Sequence, residues 1–115
     1  MMIRSYQKSE LIPVEMEGAQ DVYKRVLISR VEGANNFYMR MFEVRPNGFT
    51  PYHKHAYEHE VYVLDGRGLL KSRYVEKPLN PGDVVFVAPN EIHQFRNIGV
   101  ETFRFLCMIP ASGEL

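Results

Sequence analysis

The sequence predicts an all-β domain, an antiparallel sandwich or small barrel, on three observations. Helical periodicity is nearly absent. Short runs rich in Val, Ile, Tyr, Phe and Met recur between Gly, Pro, Asn and Asp punctuation. In the last run Phe103, Phe105, Cys107 and Ile109 fall two apart, on one face of an extended segment.

Taken in order, the predicted strands cover 23–28, 37–44, 58–64, 68–75, 84–87, 93–95 and 102–109. Turn chemistry separates them: Glu32 to Asn36, Arg45-Pro46-Asn47-Gly48, Asp65 to Gly68, Pro78 to Asp83 and Asn97-Ile98-Gly99 carry residues that tolerate tight or left-handed backbone. None of these breaks is long enough to link two domains, so 1–115 is read as one domain. Residues 1–21 are the least patterned and are read as an N-terminal arm.

Fourteen Lys plus Arg balance fourteen Asp plus Glu, leaving no electrostatic footprint for nucleic acid or an acidic membrane. No stretch approaches the roughly eighteen apolar residues of a membrane span, and the first residues lack the apolar core of a secretion signal. A cytoplasmic address is therefore expected. A single cysteine, Cys107, excludes an internal disulfide framework and multi-cysteine metal sites.

Three of the four histidines, His53, His55 and His59, lie within seven residues, and the fourth is His93. Along an extended chain 53, 55 and 59 share one face. Surface or hydrogen-bonded core histidines are the plain alternative. Several unpaired imidazoles on one apolar face would cost about 1–3 kcal/mol each, a cost that a bound cation removes. Neutral imidazole suits Mn, Fe, Ni, Cu or Zn.

These residues also carry a family resemblance. Gly48 is followed after four residues by His53-Lys54-His55, then after three by His59, then after six by Gly66. A second motif runs through Gly82, Ala88, Asn90, His93 and Asn97. The pair resembles the two motifs of the cupins, small double-sheet jelly-roll barrels, and spans 48–97. His59 stands where those proteins usually carry glutamate. Glu60 could take that place under a looser spacing, but strand parity favours His59. Asn90 stands where a glycine is usual. The all-histidine set, Pro89 to His93, and the Phe105 to Pro110 ending resemble small manganese-binding four-histidine monocupins. That resemblance implies a homodimeric barrel, a divalent metal on His53, His55, His59 and His93, and oxygenase-like chemistry on a small organic molecule. Manganese is implied first, with Fe, Ni, Zn or Cu as alternatives.

Four neutral ligands leave a divalent ion its full charge and two open positions, the condition for catalysis. A non-redox Lewis-acid isomerase or epimerase and a non-catalytic binding barrel are the competing readings. Parity makes Phe95, Phe105 and Cys107 candidate pocket walls, against the plain reading that they are core. Arg40, the one charge in Met39-Arg40-Met41-Phe42, is read first as an outer-face ion pair and second as a group that orients an anionic substrate.

Overall fold

A computed structural model of the chain describes residues 1–113. Nine strands form among them: β1 (Ile12–Pro13), β2 (Gln20–Ile28), β3 (Phe37–Phe49), β4 (His59–Asp65), β5 (Gly68–Lys71), β6 (Glu76–Leu79), β7 (Val84–Val87), β8 (Gln94–Asn97) and β9 (Phe103–Pro110). Two single 3₁₀ turns, at Tyr6–Lys8 and Arg30–Glu32, are the described helical segments. The sheet curls into a small all-β barrel with the strand order β6-β5-β8-β3-β9-β4-β7, and β2 and β1 continue from β3.

Strand β3 organises the barrel because it has three partners. Its first part lies between β2 and β9, while Phe49 at its far end pairs with Arg96 of β8. The turn expected at Arg45-Pro46-Asn47-Gly48 does not interrupt it. Those residues form a wide bulge: the register jumps from Val22↔Val44 to Gln20↔Phe49, and Asn47 takes a φ of 68°. A bulge absorbs residues with turn propensity without ending the pairing. Glycine is needed at 48, where a Cβ would stand 2.7 Å from the Gln20 carbonyl oxygen.

The run expected as one strand over 68–75 is a hairpin of β5 and β6, closed by the Ser72 N–H donating to the Val75 carbonyl at 2.8 Å. Pro78, placed by sequence in a break, sits in β6. It is tolerated because β6 pairs only with β5, so the missing N–H costs no ladder bond. The arm is held by its own chain. Strand β1 pairs with β2, and Tyr6 sits against the guanidinium groups of Arg25 and Arg104.

Period-two burial fills the interior. Phe103, Phe105, Cys107 and Ile109 of β9 and Val61 and Val63 of β4 point inward, with Val44 of β3 against them. The opposite face of the same sheet leaves Phe37, Tyr62, Val84 and Phe86 exposed.

Candidate metal centre

The two histidine-bearing segments are stitched edge to edge. The Thr50 N–H donates to the Phe95 carbonyl, His53 and His93 exchange backbone bonds at 3.1 and 2.9 Å, and the Asn90 N–H donates to the His55 carbonyl at 2.7 Å. The Thr50 hydroxyl accepts from the Phe95 N–H, and the Gln94 amide donates to the Thr50 carbonyl. This places His53 directly opposite His93 as an antiparallel bridge pair. Asn90 takes a left-handed φ of 63°, conformational work that asparagine performs in place of glycine.

His53, His55 and His93 each offer a ring nitrogen, and these atoms lie within 4.8 Å of one another. His59 enters from β4 with its Nε2 3.0 Å from His55 Nε2. The ring centroids of His55 lie 4.8, 4.3 and 4.9 Å from those of His53, His59 and His93. Glu60, the alternative ligand, faces the other way: it is exposed, pairs with Phe86 and Met108, and lines a separate outer hollow with Glu58.

The neighbours of the rings select which nitrogen faces inward. His93 Nδ1 donates to the Glu91 carbonyl at 2.8 Å, His59 Nδ1 and Cys107 Sγ share a hydrogen bond at 2.8 Å, and His55 Nδ1 lies 3.4 Å from the Tyr57 carbonyl. The carbonyl partner leaves His93 Nε2 free to face the centre, the arrangement that outer hydrogen bonds impose on metal-ligating histidines, while His59 Nε2 approaches both ring nitrogens of His55, Nδ1 at 3.2 Å and Nε2 at 3.0 Å. A separation of 3.0 Å is met either by one ring donating its N–H to the other or by a cation shared between two lone pairs. Ligands about 2.1 Å from one ion and at right angles are separated by about 3 Å. The residues present therefore fit a divalent ion.

Burial keeps these rings neutral. It pulls His59 from 6.5 to about 2, assisted by the Arg40 charge, and His93 to about 4 against the opposing pull of its bond to the Glu91 carbonyl. His53 is lowered by the same cause. An unfolded histidine takes its proton near 6.5. Below that pH the unfolded chain binds protons that the folded chain refuses, so stability is level above 6.5 and declines from there toward pH 4. The urea midpoint of metal-free protein is expected to be lower at pH 5 than at pH 7.5. Equal midpoints would show that the rings are not held neutral.

Above the histidines lies a cavity of about 460 Å³, walled by Phe42, Phe95, Phe105 and Cys107 and rimmed by Val14, Met16 and Tyr57. Phe105 stacks on Phe42 at 5.4 Å and meets Phe95 at 4.7 Å. The sequence-expected walls Phe95, Phe105 and Cys107 thus line the space next to the histidines and are core residues as well. Arg40 corrects the expected outer-face ion pair. It shares the inward face of β3 with Tyr38 and Val44, is 5% exposed, lines the cavity, and donates from Nη2 to Cys107 Sγ at 3.0 Å. Sequence reasoning missed Lys24, which also lines the cavity. Burial and the nearby Arg40 charge lower its pKa. The available signal was parity, since Lys24 is in phase with buried Val22 on β2.

Residues 40–109 match the family model described as the cupin domain. A 1-methylthio-D-xylulose 5-phosphate methylsulfurylase from Rhodospirillum rubrum is 36% identical over 108 residues, spanning 91% of this chain and 68% of that protein. The solved structure of the polyketide cyclase RemF from Streptomyces resistomycificus superposes with a TM-score of 0.91 at 36% identity, covering 97% of this chain and 81% of that one. A cupin-2 domain from Rhodospirillum rubrum gives 0.85 at 28% identity, over 99% and 77%. The matched segment covers more than half of the chain and contains both stitched histidine motifs, and on that ground the chain belongs to the cupin family.

Proposed function

We propose that this cupin is a metalloenzyme with oxygenase-like chemistry on a small organic molecule held in the barrel. His53, His55, His59 and His93 hold a divalent ion, manganese first and Fe, Ni, Zn or Cu as alternatives. The observation that carries this reading is the convergence of His53, His55 and His93, whose ring nitrogens lie within 4.8 Å of one another, with His59 Nε2 3.0 Å from His55 Nε2. When bound, such an ion supplies Lewis acidity and, for Mn or Fe, a redox couple. The chain's own part is to orient the imidazoles of His93, His55 and His59 through the Glu91 carbonyl, the Tyr57 carbonyl and Cys107 in turn. Phe42, Phe95 and Phe105 exclude water and give the substrate an apolar bed.

A second, non-redox reading is favoured by one finding. The polyketide cyclase is 36% identical across nearly the whole chain, and a ring closure needs a polarised carbonyl rather than dioxygen. Protein purified without added metal is expected to carry about one transition-metal ion per chain. Less than about a tenth, persisting after reconstitution with Mn(II), would end the metalloenzyme reading. Oxygen uptake with Mn- or Fe-loaded protein against alkenes, diketones and thiols separates the two readings, because the Lewis-acid one consumes none.

The reading includes a homodimer in the cytoplasm. The apolar outer face bearing Phe37, Tyr62, Val84 and Phe86 is suited to cover a second copy. No described helix is long and apolar enough to cross a membrane. Light scattering of the same preparation at a single chain's mass would remove the dimer from the proposal.

A further inference from the structure

We propose that Arg40 is an anion-binding subsite, and that the cavity's ligand is a small organic carboxylate with an apolar body. This rests on the reading of the cavity as a substrate chamber, and it does not depend on which metal, if any, the histidines hold.

Arg40 is 5% exposed on a strand in the middle of the barrel. A guanidinium cannot shed its proton, so it is a permanent charge in a poorly hydrated place. Buried charges are normally paired, because an uncompensated one is strongly destabilising. This one faces no carboxylate among the described residues. Its recorded contacts are a bond from Nη2 to Cys107 Sγ, a weak acceptor, and the face of the Phe42 ring at 4.9 Å, while Nε is buried without any partner. No aspartate or glutamate is among the described residues lining the cavity. The four histidines add no negative charge.

A protein keeps such an unsatisfied arrangement where function requires it. The missing counter-charge is then supplied by the ligand. The planar fork of a guanidinium matches a carboxylate, and the rings of Phe42, Phe95 and Phe105 form a bed for a flat apolar body. A cavity of about 460 Å³ is the size of a small-molecule site.

The test compares 2-naphthoate with the neutral 2-naphthamide by probe fluorescence, which is legible because the chain has no tryptophan. Metal-loaded and chelator-treated protein are titrated in parallel. Wild-type protein is expected to bind naphthoate about tenfold or more tightly than naphthamide in both forms. Arg40→Met is expected to lose that preference while keeping or raising the melting temperature, since an unpaired buried charge has gone. Arg40→Lys should give an intermediate affinity. A merely structural Arg40 predicts the reverse, a lower melting temperature with naphthoate affinity unchanged, and that result overturns the proposal. So does wild-type protein that fails to prefer naphthoate over naphthamide, a comparison that needs no variant to fold. Inorganic phosphate competing as well as naphthoate would overturn the carboxylate assignment. A preference present only in metal-loaded protein, and kept by Arg40→Met, would give the anion site to the ion and not to Arg40. Failure of the metalloenzyme reading shows separately, as absent metal with Arg40-dependent binding intact.

Discussion

His59→Ala is expected to weaken Mn(II) binding by more than about 100-fold, while Glu60→Ala leaves it within about twofold. Loss of a group that merely supports a ligand already costs 10–100-fold, so loss of a ligand should exceed that. The two neighbours differ because adjacent side chains on a strand point to opposite faces. His59 is buried with Nε2 toward His55, whereas Glu60 is exposed above Phe86 and Met108. Mn(II) titration followed by electron paramagnetic resonance measures both variants. If Glu60→Ala proves the more damaging, the assignment of His59 is wrong.

Phe103→Ala is expected to destabilise the fold by about 3–5 kcal/mol, the range for removing a large buried aromatic side chain and leaving a cavity. Phe103 is 0% exposed and meets Phe105 at 5.2 Å, and its ring fills the space left by Gly68, where a Cβ would stand 2.3 Å from Cζ. Urea unfolding should show a lower midpoint with an unchanged slope. Val100→Ala, at a position 91% exposed, should stay within about 0.5 kcal/mol. A small change at Phe103 would mean that the ring is not a central packing element.

Features that depend on local alternation or on composition were legible in the sequence. The inward set on β9 and the strand Val84–Val87 follow from period two and composition, and the left-handed asparagine at 90 from its standing at the glycine position of the second motif. The grouping of His53, His55 and His59 was readable from their clustering. Shared parity assumes an extended segment, however, and the chain bends at Ala56 and Tyr57 before β4 begins at His59. His93 was readable because the spacing of the second motif resembles a known one. Features set by tertiary pairing were not legible. Arg45 to Gly48 have turn chemistry, yet β2 holds them in a bulge. Leu69 to Leu79 lack a strong hairpin dipeptide, so the turn at Ser72 to Val75 was hidden. Arg40 was misplaced because burying an unpaired guanidinium contradicts ordinary propensity, and only the pairing of β3 with β9 reveals its direction.

The bridge between His53 and His93 brings together donors forty positions apart in the chain. In the unfolded state they are dispersed, and collecting them requires closure of a long loop before any donor pair exists. An ion held there acts as a removable staple across that loop. To the extent that it binds the folded chain in preference to the unfolded one, each tenfold excess over its dissociation constant would add up to about 1.4 kcal/mol to the stability of the fold. The durability of the barrel then tracks the supply of metal around it.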